Sequence, residues 1–133
     1  MLNKILCIDD DPITLMLCKK VVIKAQFSRE IDLVNNGEKA LQYFDDLKDK
    51  LLNKIKIVVP ELIFLDLNMP VMNGWEFLSI FSKSNYSEYF PLLRIIVLSS
   101  TIDPQDVQKS KQYPIVTHFF SKPITKEMLN YLN

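Results

Sequence analysis

Four short stretches hold the side chains that could do chemistry: Asp9-Asp10-Asp11, Asp66, Ser99-Ser100-Thr101 and Ser121-Lys122-Pro123. Carboxylates packed together repel one another unless a cation sits among them. Mg²⁺, a hard ion with octahedral oxygen ligands, suits such a cluster and keeps waters and room for a phosphate oxygen. Lys122 would offer a point charge to a phosphoryl group and Ser99 a hydrogen-bond donor. A carboxylate can itself attack phosphorus and form an acyl phosphate. Such transfer needs mostly positioning and charge stabilisation, which a metal and a lysine provide. Alone, each stretch has a plainer reading. The three aspartates could be a solvated turn with one helix cap, the Ser-Ser-Thr run a polar loop, and Lys122-Pro123 the end of a strand.

Their weight depends on the elements that carry them. Lys4 to Asp9 is apolar and β-branched, a buried strand ending in carboxylates. Asp11-Pro12 then starts a helix, with Asp as N-cap and Pro in its first turn. Ile13, Leu17, Val21 and Ala25 give that helix a core-facing stripe. Ile31 to Asn35 reads as the second strand, closed by a turn at Asn36-Gly37. Ala40, Leu41, Phe44, Leu47 and Leu51 follow helical spacing. Residues 53–59 fit a strand, a helix extension or a loop. Leu62 to Asp66 is apolar on both faces, as central parallel strands are. Asn73-Gly74 opens a helix carrying Phe77, Leu78 and Phe81, and Tyr86 to Pro91 reads as a loop. Leu92 to Leu98 is the fourth strand, Asp103-Pro104 starts an exposed fourth helix, and Ile115 to Phe120 is the fifth strand. Thr125 begins a short last helix with Met128, Leu129 and Leu132 on its buried side.

Five β-α units with right-handed crossovers predict an α/β fold, a five-stranded doubly wound parallel sheet between two helical layers. In open sheets of this kind ligands bind beyond the carboxyl ends of the strands. Asp9 to Asp11, Asp66, Ser99 and Lys122 all fall at such ends, so they should converge on one edge.

The 133 residues fit one domain with a single buried core. No apolar run approaches the roughly 20 residues that span a bilayer. The start is too short and acidic for a signal peptide, which places the protein in the cytoplasm, away from membranes. Sixteen basic and sixteen acidic side chains balance, so there is no general field for nucleic acid. Cys7 and Cys18 sit in apolar stretches and read as free buried thiols.

Cys7-Ile8-Asp9-Asp10-Asp11, Leu65-Asp66-Leu67-Asn68-Met69-Pro70 through Asn73-Gly74, Ser99-Ser100 and Lys122-Pro123 together resemble the signatures of response-regulator receiver domains. These domains belong to bacterial two-component signalling, and the chemotaxis-regulator-like members have the same flavodoxin-like (βα)5 fold. The likeness runs over nearly the whole chain, so residues 1–133 are expected to form one receiver domain. Carried over by position, it makes Asp66 the phosphoacceptor. Mg²⁺ would be ligated by Asp10, Asp66 and the backbone carbonyl of Asn68, with Asp9 acting mainly through water. Ser99 becomes the switch hydroxyl, Lys122 the phosphoryl-binding lysine and Phe119 the switch aromatic. Many members have Tyr at that last position, so an inward swing here would rest on packing alone. The resemblance also implies a cis bond before Pro123. Asn68 and Thr101 occupy positions that tune phosphate lifetime, which their side chains leave open.

The implied function is a phosphorylation switch. A sensor histidine kinase or a histidine phosphotransfer protein would donate the phosphoryl group. The surface of the fourth helix, fifth strand and last helix would then control a protein partner, with the chain a monomer or weak dimer. Because the likeness begins at the first Met, a hybrid kinase is disfavoured; a stand-alone regulator and a piece of a longer one both remain open. The main rival is a Mg²⁺-dependent phosphohydrolase with an aspartyl-phosphate intermediate, but such enzymes want a titrating Asp where this chain has Asn68. A nucleotide-binding flavodoxin-like protein would need a glycine-rich first loop, and the chain has only Gly37 and Gly74. A degenerate receiver acting only as a binding module would not need the complete set of site residues. His118 falls in a strand beside two Phe and reads as structural or superficial. Trp75 should pack at the start of the third helix, and Tyr86, Tyr89 and Phe90 should cap the core.

Overall fold

Strand-forming runs and helix caps alternate along the chain, and the computed structural model, which describes residues 1–132, follows that alternation. Its elements are β1 (Leu2–Ile8), α1 (Pro12–Lys24), β2 (Ser28–Val34), α2 (Gly37–Leu52), β3 (Leu62–Asp66), α3 (Gly74–Lys83), α4 (Tyr86–Tyr89), β4 (Arg94–Ser99), α5 (Pro104–Ser110), β5 (Val116–Ser121) and α6 (Lys126–Leu132). The strands form one parallel sheet in the order β2-β1-β3-β4-β5. The order reverses direction beside β1, so β1 and β3 flank the switch point. Ligands of doubly wound folds sit there.

The side-chain period of two divides the core between the faces of the sheet. Leu6, Ile8, Ile63, Leu65 and Ile95 point toward α2 and α3. Ile5, Cys7, Leu62, Phe64, Ile96 and Leu98 point toward α1 and α6. Every residue of β3 is buried, as the run of apolar residues on both faces requires. Four helix starts carry an Asp or Asn side-chain cap, and Thr125 caps α6 by accepting from the Met128 amide at 3.2 Å. Asp11 accepts from the Ile13 amide and Asp103 from the Gln105 amide, each at 2.9 Å and each followed by Pro. Asn36 accepts from the Lys39 amide at 2.8 Å, and Asn73 and Glu76 form a reciprocal capping box. Caps of this kind contribute about 1 kcal/mol each, and three of the four lie in the loops at the carboxyl edge that carry the site.

The structure departs from the sequence reading in places. The buried stripe of α1 is Cys18 and Val22, not Ile13 and Leu17, which are 69% and 39% exposed; Val21 and Ala25 are half-buried against the same core. This helix is apolar on more than one side, so helical spacing alone fits two stripes. Leu92 is 80% exposed, and β4 starts only at Arg94. The strand β2 begins three residues earlier than expected, at Ser28. Of the readings left open for residues 53–59, the structure shows the loop: they form neither strand nor helix. Tyr86–Tyr89 is a helical turn rather than a loop. Its Tyr86 and the following Phe90 close an aromatic cluster around Phe44 and Phe81, with Phe44 edge-on to Phe81 and Phe90 at 5.2 and 5.3 Å. Phe44 is wholly buried there, a burial that contributes about 3 kcal/mol.

Candidate functional site

Each site residue is carried by a strand end. Asp9 follows β1 directly, and its amide donates to the Val34 carbonyl at 3.1 Å, continuing the β1–β2 ladder. Asp66 closes β3, paired with Leu98 of β4. Ser99 closes β4 beside Ser121, and Lys122 follows β5, tied back by its amide donating to the Ser99 carbonyl at 2.7 Å. The Lys122-Pro123 bond is cis. Asp9, Asp66 and Ser99 are buried, Lys122 is half-buried and Asp10 faces solvent.

The side chains meet. Lys122 Nζ lies 2.7 Å from Asp9 Oδ2 and 3.3 Å from Asp66 Oδ1. Asp9 Oδ1 also accepts from the Asp11 amide at 2.9 Å, and Asp66 Oδ1 from the Asn68 amide at 3.2 Å. One ligand atom each of Asp9, Asp10 and Asp66 lie within 4.8 Å of one another. Asp11 is separate: its carboxylate caps α1 and also accepts from Thr14 Oγ1 at 3.1 Å. Those bonds, from the Ile13 amide first, hold the Asp11 carboxyl below its ordinary value.

The electrostatics follow from burial. Desolvation first, then the neighbouring Asp9 charge, push Asp66 up to about 6, against the pull of Lys122. Burial alone would lower the Lys122 ammonium, but its hydrogen bond to Asp9 and the charges of Asp66 and Asp9 outweigh it and raise it above the ordinary lysine value. Two buried carboxylates with a third beside them share one lysine, so the cluster is short of positive charge. Three oxygen donors, all hard and close together, fit Mg²⁺, and a cation would relieve the repulsion that lifts Asp66.

The loop after Asp66 is tightly folded. The Gly74 amide donates to the Leu67 carbonyl at 3.0 Å. A Cβ on Gly74 would stand 2.7 Å from the Asp66 carbonyl oxygen and 2.8 Å from Leu67 Cα, so only glycine lets α3 start this close to Asp66. Val71 sits at φ 68°, a left-handed conformation that costs a β-branched residue about 1–3 kcal/mol.

Two contacts have no counterpart in the sequence reading. One is the direct Lys122–Asp9 ion pair. The other is the approach of Met72 to Gly37, for which the only sequence signal is the glycine itself. Phe119 is half-buried and lines a shallow groove with Val107, Ser110 and His118. His118 stacks on Phe120 and meets Tyr131 edge-on, in keeping with a structural or superficial role. Trp75 packs against Tyr113, with Lys109 Nζ 4.5 Å over its ring. The Cys7 and Cys18 thiols are buried and free. Contact with Cys18 and then burial raise the Cys7 thiol, which is the opposite of an activated nucleophile.

The response regulator receiver domain profile matches residues 5–132. The chain belongs to the response regulator receiver family. A two-component response regulator from Cytophaga hutchinsonii is 30% identical, with a TM-score of 0.86 over 98% of this chain and 93% of that one. Among curated relatives, a protein-glutamate methylesterase/protein-glutamine glutaminase of Treponema denticola is 33% identical over 97 residues, which is 73% of this receiver and 22% of that protein. The nitrate/nitrite response regulator NarL of Escherichia coli is 32% identical over 103 residues, 77% of this receiver and 40% of NarL. The receiver thus spans well under half the length of these two curated relatives. It is a two-component signalling domain with the fold expected from its sequence. No helix among the described residues is long and apolar enough to cross a membrane.

Proposed function

We propose that this receiver is a phosphorylation switch in which Asp66 is the phosphoacceptor. The observation that carries the reading is the meeting of Lys122, Asp9 and Asp66 at the carboxyl edge of the sheet, with Asp10 beside them. A phosphohistidine on a sensor histidine kinase or a phosphotransfer protein is the donor. An Asp66 oxygen attacks phosphorus, a P–O bond forms as the P–N bond breaks, and the departing imidazole takes up a proton. Asp10, Asp66 and the Asn68 carbonyl are the residues that would hold Mg²⁺, with Asp9 engaged through water. When bound, the ion supplies charge neutralisation on the transferring group.

The remaining steps belong to side chains of the chain itself. Lys122 already lies 3.3 Å from Asp66 and needs little movement to reach a phosphoryl oxygen on it. Ser99, buried on the adjacent strand, donates its hydroxyl to the same group, and Phe119 moves into the space released. These shifts bias the surface of α5, β5 and α6 between two states. Moving such an equilibrium from mostly off to mostly on takes about 5 kcal/mol of differential interaction, a scale that a doubly charged group next to a lysine reaches. The output is control of a protein partner in the cytoplasm by residues 1–133 acting as one receiver domain, monomeric or weakly dimeric. A phosphohydrolase is disfavoured because Asn68 cannot titrate.

The test is incubation with Mg²⁺ and acetyl phosphate followed by intact mass measurement, beside Asp66→Ala. One phosphoryl group on the parent and none on the variant is the expected result. An unmodified parent, also silent in Trp75 fluorescence with beryllium fluoride and Mg²⁺, would leave a binding module without a phosphorylation step.

A further inference from the structure

Gly37 opens α2 on the loop beside the site, far in sequence from Asp66. Glycine costs up to about 1 kcal/mol against alanine inside a helix and less at the first position, where Gly37 stands, so its surroundings must say why it is there. Conformation is not the reason, because neither glycine of the chain has a positive φ. Space is. A Cβ at Gly37 would stand 2.9 Å from Met72 Cγ, 3.1 Å from Met72 Sδ and 3.0 Å from the Met72 carbonyl oxygen. The last is backbone, in the segment that leads from Asp66 to α3.

That segment is tied together by short-range hydrogen bonds. The Met72 amide donates to the Pro70 carbonyl at 2.8 Å, and the Gly74 amide to the Leu67 carbonyl at 3.0 Å. The Asn68 amide donates to Asp66 Oδ1 at 3.2 Å. Val71, held at φ 68° next to Met72, has little conformational freedom to absorb a push. A shift of Met72 therefore reaches Asn68, whose carbonyl the functional reading makes a metal ligand.

We propose that Gly37 is a positioning residue for the phosphoacceptor loop. Its missing Cβ lets the start of α2 seat Met72 and thereby fixes residues 67–73 against Asp66. This rests on the functional reading above only for its consequence, the affinity for Mg²⁺ and the rate of phosphorylation; the seating itself is independent of it.

The experiment compares the parent, Gly37→Ala, Met72→Ala and the double variant as full chains. Backbone amide shifts of residues 68–72 are recorded without metal, and Mg²⁺ is then titrated by Trp75 emission and by calorimetry. Gly37→Ala is expected to move those amide shifts, and any fall in its melting temperature should be repaired with them in the double variant. A displacement of a few tenths of an ångström should weaken Mg²⁺ binding and slow acetyl phosphate transfer by about 3- to 10-fold, given how steeply catalysis depends on placement. Removing Met72 Cγ and Sδ in the double variant should recover the part of that loss that the side-chain contact causes, bringing it to the level of Met72→Ala, which gives up the seat but meets no added Cβ. Parent-like amide shifts and Mg²⁺ affinity in Gly37→Ala would overturn the proposal. So would a loss that the double variant does not repair, including failure of both to fold. A parent that takes no phosphoryl group would instead count against the functional reading, with the metal-free amide shifts still deciding the role of Gly37.

Discussion

Replacing Asp66 by asparagine should make the metal-free protein more stable while abolishing its phosphorylation. In the parent, burial and the Asp9 charge raise Asp66 from 3.8 to about 6. Each pKa unit corresponds to about 1.4 kcal/mol, so ionised Asp66 costs the metal-free fold about 3 kcal/mol near neutral pH. The amide keeps the shape and can still accept from the Asn68 amide. The pull of Lys122 at 3.3 Å is already contained in the value of about 6. The expectation is therefore about 3 kcal/mol of added stability, or roughly 10–15 °C in melting temperature for a domain of this size. The sign with pH follows from linkage. A carboxyl whose folded pKa lies above its unfolded value penalises the fold fully above about 6 and not at all below about 4. The advantage of Asp66→Asn should therefore shrink as the pH falls from about 6 to about 4. Mg²⁺ should reverse it, because a ligand at about 1,000-fold its Kd adds about 4.1 kcal/mol to the protein that binds it and the variant lacks an anionic ligand. The assay is urea denaturation of both proteins, in EDTA across that pH range and again in Mg²⁺. A parent as stable as Asp66→Asn in EDTA at neutral pH, or a gap that ignores pH, would refute this account of the site's electrostatics.

Two further outcomes follow from the same structure. Lys122→Ala leaves buried Asp9 and Asp66 without their shared cation and should cost about 3–5 kcal/mol in EDTA, with Mg²⁺ restoring part of it; denaturation with and without the metal checks this. Tyr86 donates to Asp45 from a buried position, and burial and that bond raise its hydroxyl to about 12. Because the unfolded chain ionises first, near 10, the stability from this group is complete below about 10 and falls as the pH rises toward 12. Tyr86→Phe should show a smaller loss over that interval in denaturation followed by circular dichroism.

The residues that meet at the carboxyl edge were legible because each closes an apolar run, and a parallel sheet sends all such ends to one side. β3 was clear for the same reason: an apolar run of strand length, bounded by Pro60-Glu61 and by Asp66. Legibility failed where apolar residues face solvent. In α1, Ile13, Met16, Leu17 and Ile23 are exposed while Cys18 and Val22 are buried, so periodicity could not choose the inner face. Leu92 extends an apolar run backwards before the chain has entered β4, and a single turn such as Tyr86–Tyr89 is too short to show a period. The Lys122–Asp9 pair was hidden because sequence places both at strand ends but cannot say which carboxylate the lysine favours. Gly37 read as a turn glycine; that it is there for want of a Cβ becomes visible only when Met72 stands against it.

Lys122, held between Asp9 and Asp66, also sets the order of events in the life of the chain. In a small zinc domain the metal's binding energy is the folding energy, and removing the ion unfolds the chain. Here a covalently attached cation stands in among the carboxylates from the moment β5 docks, so the sheet can close before any ion arrives. Folding and loading become separate steps. On the proposed Mg²⁺ reading, newly made copies would accumulate folded and unloaded, and a fall in free magnesium would stop phosphorylation without unfolding the protein.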